Sequence, residues 1–320
     1  MRNQSHSAMG LSLLRASITA TTHTHVRRLI INLKQMIHPM KHPRRRSPGQ
    51  IGSSQDSLFS TFQGRGLAAV AVALVALGLQ YAAMAQVDTF NNGNDAGWLH
   101  DNPIAAYGGT TTYSFPAGPF GKGYRLQCTS SSLLQGFCGQ CGTARTFSYK
   151  AKVYKDFLVS VDLVNWDNNL DQALVLAARV SGQNSTADPC PLGSGACPPG
   201  FATASGYVCN YDPNQFGVGS SGQFQINTVT GENPVTLGST NVTLIPGRVY
   251  RMVFVGVGTK LTASLYDAKQ LFTPIATLQA DDATYTQGVS GLYSYSRDGT
   301  VTDVTYDNFV SLAAPGTPPK

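Results

Sequence analysis

The sequence predicts an all-β protein, a two-sheet antiparallel jelly-roll sandwich that begins near residue 86. Three observations predict it. From residue 86 onward, short segments rich in Val, Thr, Tyr and Phe recur between Gly, Pro, Asn and Asp, the punctuation of strands and turns. Several of them alternate apolar with polar residues, the period of a pleated strand covered on one face. No segment after residue 86 sustains the 3.6-residue apolar period of a helix. Ten or more antiparallel strands in one chain pack as two sheets.

The elements follow in chain order. Residues 1–66 form a basic arm: the first 85 residues hold ten of the 23 Lys and Arg, five of the six His and a single acid, Asp56. The arm has no interleaved aromatics and precedes an export signal, so nucleic acid is not expected as a partner. It is expected to be disordered, or to lie upstream of a true translation start at Met36 or Met40. Residues 67–79, LAAVAVALVALGL, are an apolar run of 13 behind Arg65, and Ala83-Met84-Ala85 follows. That is the order of a secretory signal and its cleavage site, here 67–85. A membrane-spanning helix needs about 20 apolar residues, and this run stops at Gln80. The expected product is therefore secreted or extracytoplasmic, starts at Gln86 and is free of the membrane after cleavage.

The domain itself is expected over 86–312, with a disordered Pro-rich tail at 313–320. Residues 157–164 place Phe157, Val159, Val161 and Leu163 on one face. Strands follow at 173–180, 205–211, 223–229 and 234–245, then at 249–255 after the Pro246-Gly247 turn. A tight connection at 256–259 leads into 261–266, where Leu261, Ala263 and Leu265 alternate with Thr262, Ser264 and Tyr266. Further strands fit 275–279, 289–296 and 301–311, while the Trp98–Pro103 segment reads as a loop.

Composition narrows the chemistry. The body keeps thirteen basic and sixteen acidic residues, a net charge of −3, with one glutamate, Glu232, and one histidine, His100. A two-carboxylate glycosidase would have to use aspartates, and Asp162 with Asp167 is the nearest strand pair. Ser-His-Asp or Cys-His catalysis would have to use His100. A polysaccharide lyase has Tyr295, Arg297 and His100 available. No nucleophile-elbow motif or phosphate-cradling loop is present. Six cysteines in an exported chain, Cys128, Cys138, Cys141, Cys190, Cys197 and Cys209, are expected to form three disulfides. One arrangement closes the 181–204 insertion with Cys190–Cys197, but six cysteines allow 15 pairings.

The stretch 248–267, RVYRMVFVGVGTKLTASLYD, resembles the paired central strands of laminin-G-like, concanavalin A-like domains. The opening Val87-Asp-Thr-Phe90 and the closing Val304-Thr-Tyr-Asp-Asn-Phe309 resemble the same superfamily. The resemblance covers roughly 86–312 and implies a jelly roll whose first and last strands are neighbours. It also implies a structural Ca²⁺ where those strands meet, with Asp88 and Asp307 as ligands. The Glu-x-Asp-x-Glu motif of the superfamily's retaining glucanases is absent, which leaves no catalytic residue to name. Sugars present C–H faces that stack on aromatic rings and hydroxyls that bond to amides, carboxylates and guanidinium groups. The binding candidates are accordingly Trp98, Trp166, Asp167, Asn168, Tyr293, Tyr295 and Arg297. The expected function is a secreted carbohydrate-binding or adhesive module whose partner is a glycan. A glycan-active enzyme with a non-standard site, or a structural surface protein, are the alternatives.

Overall fold

The computed structural model describes residues 85–135, 142–182, 204–215, 217, 219–296 and 301–314. The arm and the hydrophobic run lie outside them, as do Arg297 and four of the six cysteines, Cys138, Cys141, Cys190 and Cys197. Seventeen strands are described: β1 (Gln86–Asp88), β2 (Leu99–Asp101), β3 (Thr111–Ser114), β4 (Ala117–Gly118), β5 (Gly121–Lys122), β6 (Tyr124–Thr129), β7 (Arg145–Tyr154), β8 (Phe157–Trp166), β9 (Gln172–Ser181), β10 (Ser205–Asp212), β11 (Gln223–Thr230), β12 (Asn233–Asn241), β13 (Tyr250–Val257), β14 (Lys260–Asp267), β15 (Ala276–Asp281), β16 (Gly288–Ser296) and β17 (Val301–Ala313). Fifteen of them form two large antiparallel sheets, and β4 pairs with β5 in a separate two-stranded one. The first runs β15-β14-β13-β8-β17-β6-β3, with β1 also on β17, and the second runs β12-β11-β10-β9-β16-β7-β2. Val87 pairs with Val310 and Asp88 with Phe309, so the first and last strands are neighbours. This is the two-sheet jelly roll that the resemblance implies.

Strand parity builds the core. Phe157, Val159, Val161 and Leu163 of β8 meet Leu174, Leu176 and Ala178 of β9 between the sheets, with Met252, Phe254, Tyr207, Cys209 and Ile226 packed around them. Each of the Val, Leu, Ile, Phe and Met side chains among them contributes roughly 1.5–3 kcal/mol by leaving water. Two sequence expectations are corrected. Residues 99–101 are not loop but β2, which completes the second sheet by pairing with β7. The strand expected over 234–245 stops at Asn241, where Val242 N–H turns back to donate to the Gly222 carbonyl at 2.9 Å.

β7 inverts the usual parity. Its polar residues face inward: the Thr146 hydroxyl meets the Tyr113 hydroxyl at 2.9 Å, and that of Ser148 meets Tyr124 at 3.0 Å. Lys150 Nζ lies 4.5 Å above the Trp98 ring. The alternate residues Arg145, Phe147 and Tyr149 therefore face outward, and Phe147 and Tyr149 belong to a separate apolar cluster with Ala177, Val180 and Val289. This inversion creates an aromatic outer face on the second sheet.

Candidate functional site

The two tryptophans expected to bind sugar are core residues. Trp98 is only 6 % exposed, packed against Phe90, Tyr124 and Phe309, and its indole N–H donates to Asp88 at 2.8 Å. Trp166, 4 % exposed, packs against Tyr211 and Tyr250 and donates to Asn168 Oδ1 at 2.6 Å. Asn168 thus anchors a core ring, and Asp167 accepts the backbone N–H of Asn169 in the turn after β8. Rings so buried leave no face open to a ligand.

The calcium pair does not fit. Asp88 faces inward, where Oδ1 accepts the Phe90 N–H and Oδ2 accepts both the Trp98 indole and Lys150 Nζ, the latter at 3.2 Å. Asp307 faces the other side of the first sheet, opposite Asp162. A bulge at Asn308, whose φ is +51°, puts residues 307 and 308 on the same side. Strand pairing thus sets the two residues on opposite sides of the sheet, Asp88 beside Phe309 and Asp307 beside Asp162. Among the described residues no group of three His, Cys, Asp or Glu side chains converges on a metal position.

The expected disulfides are likewise not formed by the two described cysteines. Cys128 and Cys209 are free, buried thiols. Cys128 donates to the Arg145 carbonyl at 3.3 Å and Cys209 contacts Met252 Sδ at 3.9 Å. Inward parity on β6 and β10 commits both sulfurs to the sandwich interior, and burial raises both thiol pKa values, which keeps them protonated.

Tyr293 and Tyr295 stand half-buried on the outward side of the second sheet, among residues that are themselves buried. Register aligns them with Phe147 and Arg145 of β7 on one side and with Val175 and Ala173 of β9 on the other. Tyr293 and Tyr295 stack at 5.9 Å, Phe147 and Tyr149 at 5.1 Å, and Phe147 meets Tyr293 edge-on at 6.2 Å. Across Ala173, Val175 and Ala177 of β9, strands β10 and β11 present carboxamides on the same face. Asn210 Nδ2 donates to Gln225 Oε1 at 3.2 Å, and Asn227 Nδ2 donates to Asn210 Oδ1 at 2.6 Å. Gln225 Nε2 donates onward to Gln215 Oε1 at 3.0 Å and to Gln223 Oε1 at 2.5 Å. The row ends on an acceptor: Asn227 is 3 % exposed, and its Oδ1 has no hydrogen-bond partner. An orphaned buried acceptor costs roughly 1–3 kcal/mol.

One ion pair spans this face. Arg145 Nε lies 2.7 Å from Glu232 Oε2, both side chains largely buried. Arg145 begins β7, and Glu232 sits in the turn beyond β11, four strands away at the opposite end of the ladder. In a flat sheet their Cα atoms would stand about 30 Å apart, far beyond the reach of the two side chains. The sheet must curl by its twist so that these opposite corners meet over the outward face. Burial pushes the Glu232 carboxyl up to about 7, outweighing the lowering effect of Arg145; Asp101 on β2 raises it further. Burial first, then the Glu232 charge, hold the Tyr293 phenol well above its ordinary value. A phenol so disfavoured as phenolate is a poor general base near neutral pH.

No family model and no curated protein matches the sequence. Solved structures do. The carbohydrate-binding module CBM66 from Bacillus subtilis is 14 % identical over 64 % of this chain and 95 % of its own, with a TM-score of 0.42. Lectin II from Ulex europaeus is 13 % identical over 72 % of this chain and 97 % of its own, at 0.43. The exoplasmic/lumenal domain of VIP36, in a Ca²⁺/Man₃GlcNAc-bound form, is 8 % identical over 74 % of this chain and 91 % of its own, at 0.45.

Two further constellations lie elsewhere. His100, the one imidazole of the body, links Ser148 Oγ at 3.1 Å through Nδ1 and Asp95 Oδ2 at 3.0 Å through Nε2, and it stacks on Tyr113 at 4.0 Å. Ser148 is fully buried and also held by Tyr124, so this relay ties the strands at one end of the sandwich. On the outward face of the first sheet, Arg251 grips Asp162 through two bonds of 2.6 and 2.8 Å, and Asn308 Nδ2 donates to the same carboxylate at 2.9 Å. The Asp162/Asp167 pair considered for glycoside hydrolysis is thereby divided: Asp162 is committed to Arg251 and Asp167 to its turn.

Sequence reading missed Arg145, Phe147, Tyr149, Asn210, Gln225, Asn227 and Glu232 as members of the face. The alternating Arg145-Thr-Phe-Ser-Tyr149 and Gln225-Ile-Asn227 were the available signals.

Proposed function

We propose that this protein binds carbohydrate on the outward, curled face of the second sheet, as an exported module with a glycan partner. The observation that carries the reading is the pairing, on one face, of Tyr293 and Tyr295 with a carboxamide row that ends in the partnerless Asn227 Oδ1. Sugar C–H faces stack on tyrosine rings, and sugar hydroxyls donate to amide oxygens while accepting from amide N–H groups. A hydroxyl donated to Asn227 Oδ1 would recover the cost of burying that oxygen alone.

A glycan microarray probed with the full chain tests the reading. Retention on specific glycans, lost in Tyr293→Ala, is the expected result. Retention on none, by a protein shown to be folded, would reject it.

A further inference from the structure

We propose, on the reading of the chain as exported, that its first residue after signal cleavage is a pyroglutamate closed from Gln86, whichever face binds glycan.

Sequence and fold set the same boundary. Ala83-Met84-Ala85 puts the cleavage site immediately before Gln86. The compact unit that holds the sandwich begins at Met84, and its first strand, β1, begins at Gln86. Cleavage after Ala85 therefore removes no strand residue and leaves Gln86 as the first paired one, opposite Ser311 on β17.

A glutamine at the start of a chain carries its own nucleophile and its own electrophile. Hydrolysis of the Ala85–Gln86 bond consumes one water and frees the α-amine. With a pKa of about 8, part of that amine is unprotonated near neutral pH and attacks the side-chain carbonyl carbon, Cδ. The N–Cδ bond forms, the Cδ–Nε2 bond breaks, and Nε2 leaves as ammonia with the proton that the amine gives up. No oxidant or second substrate is required.

The strand end accommodates the ring. Oε1, the oxygen that the lactam keeps, is the atom through which Gln86 meets the Ser311 hydroxyl at 3.3 Å. Nε2, the atom that leaves, takes no part in that contact. Ser311 is fully buried, and its hydroxyl lies 3.4 Å from that of Tyr154. Gln86 itself is half-buried. A terminal ammonium held there is partly desolvated, a cost that a neutral ring does not carry. The lactam still has one N–H, so the strand end loses its charge but not its donor. The product offers no free α-amine to an aminopeptidase.

The test is the intact mass of the full chain after passage through a secretory export route, with its cysteines reduced, together with stepwise degradation from its N-terminus. The expected product spans residues 86–320, is lighter than that sequence by one ammonia, and resists degradation. Once a pyroglutamyl aminopeptidase has removed the ring, it should read Val87-Asp88-Thr89-Phe90. Gln86→Asn keeps a carboxamide on a side chain one carbon too short to close the same ring. It should be exported with the same start, at full mass and open to degradation, which separates a lactam from any other block. A wild type that begins with Gln86 at full mass and with an open amine would overturn the cyclisation and leave the export reading standing. A block that persists in Gln86→Asn would do the same. A start at any other residue would overturn the cyclisation together with the cleavage position. Recovery of no exported chain would overturn the export reading as well.

Discussion

The outward faces of the two sheets both carry polar and charged groups but leave them in different states. On the first sheet the groups satisfy one another: Arg251 and Asn308 close on Asp162, and Arg125 makes two bonds to Asp303, which Gln127 joins at 3.3 Å. On the second, the carboxamide row ends in an oxygen with no partner, rings stand beside it, and one ion pair reaches over from a turn. A ligand on the first face would have to break charge-assisted bonds before making its own. A ligand on the second completes an unfinished row. The difference teaches that the polarity of a sheet face says little about recognition until its hydrogen bonds are counted.

The largest expected effect breaks the first face. Arg251→Ala leaves Asp162, fully buried, without its guanidinium, which should cost about 3–5 kcal/mol of folding free energy. Chemical denaturation measures it, and glycan retention by the remaining folded protein should be unchanged. A loss under 1 kcal/mol would mean that this network is no more committed than the other.

Next comes pH, because each face holds one carboxyl raised by burial to about 7, Glu232 and Asp307. Both are acids whose folded pKa exceeds the unfolded value, so the native state binds more protons from 4.5 to about 7 for Glu232 and from 3.8 to about 7 for Asp307. Their contribution to stability is full below that window and is lost as pH rises through about 7. His100 opposes them: burial lowers its pKa, so its contribution falls away as pH drops below its unfolded value. Glu232→Gln and Asp307→Asn should each flatten the decline of melting temperature with rising pH. A slope unchanged by both would contradict the burial assigned to them.

Smaller effects separate the parts of the second face. Tyr293→Ala should weaken glycan binding about tenfold, about 1.4 kcal/mol, by removing a stacking ring, with less effect on stability than Arg251→Ala. Asn227→Ala should weaken binding by a few-fold, the worth of one hydrogen bond, and should cost about 1–3 kcal/mol of stability, because the buried Asn210 Oδ1 and Gln225 Oε1 each lose a donor. If Asn227→Ala matched Tyr293→Ala in binding and also unfolded the protein, the row would be scaffold rather than site.

Much of the fold was legible because strand parity is local. The alternation of Leu261, Ala263 and Leu265, or of Phe157 through Leu163, is written in consecutive residues, and each set faces the core. The site was less so. Trp98 and Trp166 next to Asn and Asp look the same in sequence whether the ring is open or packed, and both proved packed. Phe147 and Tyr149 invert the expected rule, since the hydroxyls between them take the interior. The convergence of Glu232 on Arg145 depends on sheet twist accumulated over four strands, which no local pattern encodes. Tyr293 and Tyr295 were legible because two aromatics of like parity on one strand must share a face.

The most direct test compares glycan retention by Tyr293→Ala on the second sheet and Arg125→Ala on the first, both checked for folding against wild type. Recognition by the second face predicts that Tyr293→Ala loses retention while Arg125→Ala keeps it. Retention kept by Tyr293→Ala and lost by Arg125→Ala would contradict it.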